Sequence, residues 1–413
     1  MNPFMNLGVD PHFIEKIRKR YIEKPTAIQN LVIPNLSAGK NIIFRSATGT
    51  GKTFAYLLPI LTKLLEFSKS ASIAKPCILI IAPTLELCLQ IKSELDFLLE
   101  GTSVSSSILI GSVGIDRQTE NLRKVKPDII VGSPNRLLVL AKKNIIKFNN
   151  LRYLVLDEAD RLTAQECIDE TNELLRIIEK NSKHKTGSPD KSSNLPNICT
   201  AACSATINKK TGILLGSLFK TAEIIESSDH EILREKIEHW AVFSEKRRRD
   251  QTLRSLLSAL KEKKKRVKAL VFTSRGDDAG LVLSRLQHHH VSSAGLFGKL
   301  NKKPLTSLER KAALESFRNG SIEVLVSTDL AARGLDIHGI THVISLDVPA
   351  ESDIYIHRCG RTGRAGKRGI MITIGDETQM YLLASIEKKL KIKIMPKELH
   401  YGKICSPQQI EDE

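Results

Sequence analysis

The feature that most constrains this chain is a series of short, nearly continuous apolar runs separated by polar segments with helical spacing. In the first half they read "NIIFRSA", "CILIIAPT", "SILIG", "DIIVGSP", "YLVLDEAD" and "ICTAACSAT"; in the second, "ALVFTSR", "VLVSTDLA" and "HVISLDVP". A strand apolar at every position has both faces covered. Such strands alternating with helices form parallel sheets between helical layers. The helices show as "FAYLLPILTKLLE", "TLELCLQIKSELDFLLE" and "LTSLERKAALESFRNG", the last stopping at Asn-Gly. The fold class is therefore α/β, with functional loops at the carboxyl ends of the strands.

The 413 residues suffice for two or three domains, each with its own core. Residues 181–196, "NSKHKTGSPDKSSNLP", are polar and rich in Gly, Pro and Ser, which predicts a surface loop inside the first domain. Residues 221–236, "TAEIIESSDHEILREK", carry neither a turn signal nor a core signal. They are read as a linker between an N-terminal domain over 1–220 and a C-terminal domain over 237–398, with a short polar tail at 399–413. The halves share an alternating architecture but no sequence repeat.

Apolar residues make up 41% and charged residues 26%, as in a globular protein, and no apolar run is long enough to span a bilayer. The seven scattered cysteines form no CxxC pair, which argues against a zinc site or disulfide framework and suits a reducing compartment. The net charge is +17. Residues 1–220 hold 30 Lys and Arg against 20 Asp and Glu, and the remainder 33 against 26, so both halves are basic. Two basic lobes suggest one polyanionic partner, nucleic acid before membrane. With only 5% aromatic residues, base stacking is disfavoured as the main mode of contact.

Three stretches carry chemistry. "SATGTGKTF" lies between a strand and a helix, as a phosphate loop requires, with Ser46 where the first glycine usually stands. Backbone N–H groups from Thr48 through Gly49, Thr50 and Gly51 to Lys52 would cradle phosphate oxygens. Lys52 would reach the β- and γ-phosphates of ATP, and the Thr53 hydroxyl would ligate Mg²⁺. "YLVLDEADRL" delivers Asp157 and Glu158 to a strand end, where the first can hold the metal and the second can position the attacking water. By itself the same turn is also what an Asp capping a helix looks like. "YIHRCGRTGRAGKRG" clusters His357, Arg358, Arg361 and Arg364 among glycines. It reads either as a basic loop for RNA phosphates or as arginine fingers aimed at a γ-phosphate held by the other domain.

Together these residues resemble the DEAD-box RNA helicases of helicase superfamily two, from Phe4 to about residue 375. "YIEKPTAIQ" at 21–29 is similar to the adenine-recognition motif, with Phe4 the isolated aromatic seventeen residues upstream. "SATGTGKT" resembles that family's own loop, which has a small residue first, so Ser46 marks a variant. "APTLELC", "GS" at 111–112 and "SPNR" at 133–136 resemble its RNA-contacting motifs. "DEAD" and "SAT" stand unaltered, and "VFTSR", "VSTDLAARGLDI" and "HRCGRTGR" complete the second domain. The resemblance implies two tandem RecA-like domains, ATP and Mg²⁺ as cofactors, and RNA bound by its backbone. It further implies that Gln29 reads adenine, Phe4 packs on the base, and Gly334 and Asp336 lie at the nucleotide, Asp336 at the ribose. Arg361 and Arg364 would be the fingers. Pro83, Thr84, Gly111, Arg136 and Thr328 would contact RNA, while Asp160, Ser204, Thr206 and His357 would couple the two sites.

Some positions depart from that pattern. Ile22 replaces an aromatic, Leu85 an Arg, Ser112 and Asn135 each a Gly, and Phe297 a His, with about five extra residues before Arg310. The departures bear on RNA contact and base stacking, not on ATP hydrolysis. "HHH" at 288–290 reads as a helix-end loop, because consecutive histidines cannot all face one ion. "KRRRD" and "KEKKKRVK" read as a solvated face flanking an apolar helix stripe. The expected protein is a cytoplasmic monomer without membrane contact, since Phe4 leaves no room for a cleavable leader. It would unwind or remodel RNA using ATP. The rivals are a non-catalytic ATP-gated RNA clamp, which has no need of Lys52, Glu158, Arg361 and Arg364, and a translocating DNA helicase, against which "SAT", "DEAD" and the glutamine motif weigh.

Overall fold

The computed structural model describes residues 2–45, 51–70, 75–183, 198–204, 212, 215–216, 222–226, 236–262, 267–274, 276–297, 299–300, 303–304, 306–332, 337, 339–363 and 367–407. The chain divides into two compact units, the main boundary falling after residue 228 of the sequence. Each is built on one mostly parallel sheet covered by helices.

The first sheet holds β1 (Ile42–Arg45), β2 (Ile78–Ile81), β3 (Ser106–Leu109), β4 (Ile129–Gly132), β5 (Tyr153–Leu156), β6 (Cys199–Ser204) and β7 (Glu223–Glu226). They pair in parallel in the order β3-β4-β2-β5-β6-β1-β7. Their continuous hydrophobicity has the reason expected for such strands. On β2, Ile78 and Ile80 enter one core while Leu79 and Ile81 enter the other. On β5, Tyr153 and Val155 face the first core and Leu154 and Leu156 the second.

The second sheet holds β8 (Ile237–Phe243), β9 (Ala269–Thr273), β10 (Ser293–Leu296), β13 (Val324–Thr328), β14 (His342–Ser345), β15 (Gly369–Gly375), β16 (Ile394–His400) and β17 (Lys403–Cys405). A separate antiparallel pair joins β11 (Lys299–Leu300) to β12 (Lys303–Pro304). The sheet order is β10-β13-β9-β14-β15-β8-β16-β17, parallel throughout except for the β16–β17 hairpin. Here too neighbouring side chains part company: Val324 and Val326 pack on one face, Leu325 on the other. The helix Ser307–Asn319 starts at a Thr306–Glu309 capping box and ends at Gly320 with φ +83°.

Three boundaries differ from the sequence reading. Residues 223–226 belong to β7, an edge strand tied to β1 by the Lys40–Glu223 and Arg45–Glu226 ion pairs, and not to the linker. The tail is structured through β16 and β17 instead of starting as a polar extension at 399. The helix Ile168–Lys183 runs into the expected surface loop, whose residues 184–196 lie outside the described ones. The three histidines do sit at a helix end, with His290 at φ +57° after the helix Gly276–His288. Lys246, Arg247 and Arg248 are exposed beside the buried stripe Leu253, Leu256, Leu257 and Leu260. No helix among the described residues is long and apolar enough to cross a membrane.

Candidate active site

All strands of the first sheet run the same way, so their carboxyl ends share one rim, and the strand order sorts the motifs along it. Adjacent β5, β6 and β1 deliver the acidic motif, Ser204 and the loop leading to Lys52. Adjacent β3, β4 and β2 deliver Gly111, Arg136 and the Pro83–Thr84 pair. With neighbouring strands roughly 4.8 Å apart, each trio spans about 10 Å.

Around the first trio, Gln29, the acidic motif and Ser204 are buried and hydrogen-bonded. Gly51 precedes the helix Lys52–Ser70 at φ +87°, and a Cβ there would lie 2.4 Å from Gln29 Nε2. Only glycine fits both the left-handed backbone and that approach. Gln29 donates from Nε2 to the Gly51 carbonyl at 3.0 Å and accepts the Thr26 N–H at 2.9 Å, completing a capping box. A primary amide has two donors and two lone pairs, and among the described residues these bonds use one of each.

Asp157 and Glu158 follow β5. Glu158 adopts φ +49°, a left-handed conformation that costs a non-glycine residue about 1–2 kcal/mol. Its N–H donates to Asp157 Oδ1 at 2.9 Å, and its carboxylate pairs with Arg161 at 3.5 Å. The Asp160 N–H donates to the Ser204 hydroxyl at 3.3 Å, so β6 touches the acidic motif directly. The Asp157 carboxylate also accepts the Cys203 thiol on Oδ1 at 2.8 Å and the Tyr56 hydroxyl on Oδ2 at 2.9 Å. Burial pushes the Asp157 carboxyl up; the Cys203 thiol, the Lys52 charge and the Tyr56 hydroxyl oppose that rise, while Glu158 adds to it. Burial, then the Asp157 charge, raises both Tyr56 and Cys203 well above their ordinary values, so both stand as neutral donors.

The second trio is looser. Arg136 donates from Nη2 to the Gly111 carbonyl at 3.0 Å, joining two motifs that are 25 residues apart. Gly111 is exposed, with nothing within 4 Å of a notional Cβ. Thr84 caps the helix Leu85–Leu99 by accepting the Leu87 N–H at 3.3 Å. Leu85 is half-buried on the first core, and Ser112 and Asn135 are exposed.

In the second unit, Arg358 is 1% exposed and fully engaged by acids. Nε and Nη2 donate to Asp329 at 2.7 and 2.6 Å, and Nη1 donates to Asp347 at 2.8 Å. Burial alone would lower its pKa, but Asp329 and Asp347 outweigh it and hold the guanidinium above its ordinary value. Arg361 is also buried and donates from Nε to the His357 carbonyl at 3.3 Å. Thr328, at the end of β13, accepts the Ala331 N–H at 3.4 Å and so caps the short helix Asp329–Ala332.

The DEAD/DEAH box helicase profile matches residues 26–212, and the helicase conserved C-terminal domain matches residues 249–366. The chain is 31% identical over 394 residues to the DEAD-box ATP-dependent RNA helicase CshC of Bacillus cereus, covering 95% of this chain and 93% of the relative. It is 33% identical to the ATP-dependent RNA helicase CshA of Listeria monocytogenes, covering 96% and 70%. The chain belongs to the DEAD-box helicase family. Among solved structures, Mss116p bound to single-stranded RNA and AMP-PNP superposes with a TM-score of 0.82 at 27% identity, covering 94% of this chain and 77% of that one. S. cerevisiae Dbp5 bound to RNA and ADP BeF3 has a TM-score of 0.80 at 23% identity, covering 96% of each, and supports the RecA-like fold alone.

Within this DEAD-box chain, the structure brings together Gln29 with Gly51, Asp157 with Glu158, Asp160 with Ser204, Gly111 with Arg136, and His357 with Arg361. Thr48, Gly49, Thr50, Thr206, Gly334, Asp336 and Arg364 lie outside the described residues. Phe4, expected on the base, is 1% exposed and packs in the first core. Phe297, read as a departure on the RNA side, is likewise fully buried in the second unit. Sequence reasoning passed over Tyr56 and Cys203, which look like ordinary core residues in "FAYLLPIL" and "TAACSAT", and the Asp329 and Asp347 pair that occupies Arg358. The signal for the last was two acids ending separate apolar runs, "VSTD" and "ISLD".

Proposed function

We propose that this protein is an ATP-dependent RNA helicase that grips RNA by its backbone and uses ATP hydrolysis to unwind or remodel it. The observation that carries the reading is the segregation of motifs along the first rim, with nucleotide chemistry on β5, β6 and β1 and a phosphate-facing edge on β3, β4 and β2. Lys52 binds the terminal phosphates, the Gln29 amide reads the adenine edge, and Glu158 positions the attacking water. Arg361 and Arg364 then stabilise the transferring phosphoryl group from the second unit. Ser204, bonded to Asp160, links the acidic motif to β6. Thr84, Gly111, Arg136 and Thr328 hold RNA through phosphates and 2′-hydroxyls, which makes binding sequence-independent.

Asp157 fits a metal: each carboxylate oxygen has two lone pairs, Oδ1 is filled by two donors, and Oδ2 accepts one donor among the described residues. With Thr53 it would hold Mg²⁺, which when bound neutralises charge on the β- and γ-phosphates. Seven unpaired cysteines support a reducing, cytoplasmic setting.

The test is ATP hydrolysis with and without single-stranded RNA. The wild type should be stimulated by RNA. Lys52→Ala should lose nucleotide binding, and Glu158→Gln should retain ATP and RNA while turning over at least about a hundredfold more slowly. Hydrolysis by Glu158→Gln at the wild-type rate would remove its water-positioning role.

A further inference from the structure

We propose that Tyr56 and Cys203 are positioning residues for Asp157, clamping its carboxylate from two elements so that one lone pair of Oδ2 is presented to the nucleotide's metal. The proposal rests on the nucleotide reading above and adds two residues to it. An aspartate's terminal torsion is broad and roughly two-fold, so an unclamped carboxylate can swing. Here Oδ1 takes the Cys203 thiol from β6 and the Glu158 N–H, while Oδ2 takes the Tyr56 hydroxyl from the helix that Lys52 opens. All three side chains are buried, so each polar group depends on the others for hydrogen bonds that water would otherwise supply.

The connections give the clamp a direction. Tyr56 stands four residues after Lys52 and three after Thr53, one helical turn along, so it moves with the start of that helix. Cys203 immediately precedes Ser204, whose hydroxyl accepts the Asp160 N–H. The phosphate-loop helix, the metal carboxylate and β6 are therefore joined through Asp157. A shift of the helix start on nucleotide binding would be felt at β6 through that carboxylate.

Tyr56→Phe removes one oxygen and keeps the ring; Cys203→Ala removes the thiol; Cys203→Ser restores a donor. The informative quantity is the gain in ATP affinity when Mg²⁺ replaces EDTA, measured by equilibrium binding without turnover, with a melting curve for each variant. Partners that orient a metal's ligands typically contribute about 10–100-fold in metal affinity. Tyr56→Phe and Cys203→Ala should each cut the Mg²⁺-dependent gain by about tenfold, with EDTA affinity within about twofold of wild type and with Cys203→Ser recovering most of the loss. An unchanged gain in both variants, or an equal loss in Mg²⁺ and in EDTA, overturns the clamp and leaves the pair as core. A wild type whose ATP affinity ignores Mg²⁺ overturns the metal reading itself, a result distinct from either.

Discussion

The two halves of the first rim are built in opposite ways. On the nucleotide side, Gln29, Asp157 and Ser204 are at most 3% exposed and each is hydrogen-bonded within the unit. On the RNA side, Thr84 and Arg136 are half-buried and Gly111 is open, and three of the departures from the family pattern, Leu85, Ser112 and Asn135, fall here. On the proposed reading, the difference follows from the ligands. Transition-state charge must meet dipoles fixed beforehand, and a displacement of about 1 Å can cost a hundredfold in rate. A flexible polyanion met by its phosphates needs charge in roughly the right place, and tolerates substitution.

If burial and pre-organisation mark the residues that ATP chemistry uses, Arg361 in the second unit belongs with the nucleotide half. Arg361→Ala should lower turnover by about a thousandfold or more with little change in ATP affinity. Equal ATP turnover by residues 1–228 alone and by the whole chain would break this assignment. Arg358, by contrast, is saturated by Asp329 and Asp347, so its replacement should act through stability. Removing one partner from such a buried group typically costs about 3–5 kcal/mol.

A smaller effect is expected at Gly51. Gly51→Ala combines a left-handed backbone with a Cβ that would meet Gln29 Nε2 at 2.4 Å. Strain of about 1–2 kcal/mol, with Gln29 displaced, should weaken ATP binding by about tenfold or more. Removing the side chain by Gln29→Ala in the Gly51→Ala background should then add little further loss. Independent, additive losses would show that the two residues do not act through this contact.

How much of this was legible in the sequence depends on where a residue's partners lie. Interior strands such as "CILII" and "YLVL" announce themselves because both faces are buried. The edge strand β7 does not: "EIIE" leaves Ile224 64% exposed and pairs through its backbone and two ion pairs. β16, one strand in from the edge, hides in the same way, carrying Pro396 and alternating exposed residues. In the site, Lys52, Asp157 and Glu158 are visible because phosphate chemistry demands those types within a few positions. Tyr56 and Cys203 are invisible because their polarity matters only once the fold carries them to Asp157, 101 and 46 residues away in the chain. Phe4 is ambiguous for the converse reason: an isolated aromatic serves a core as well as it serves a base.

The smallest expected effect tests the RNA half at a position peculiar to this chain. Leu85 is the first residue of the helix Leu85–Leu99 and lies half-buried on the first core, so a cation there meets two opposing demands. The aliphatic stem of an arginine can cover the same apolar surface while its head reaches water. A positive charge in a helix's first turn, however, costs about 0.3–1 kcal/mol against the dipole. Leu85→Arg should therefore lower the melting temperature by only a few degrees, since about 1 kcal/mol shifts a domain of this size by roughly 2–4 °C. In return it gains one phosphate contact, which should tighten single-stranded RNA binding in the ATP-bound state. The dependence of log K on log salt should steepen by about 0.7, the value for one added contact on a single strand. RNA titrations at several salt concentrations, alongside a melting curve, separate the two terms. An unchanged slope with a large drop in melting temperature would place Leu85 in the core in function as well as in packing, and would shrink the RNA half to Thr84, Gly111 and Arg136.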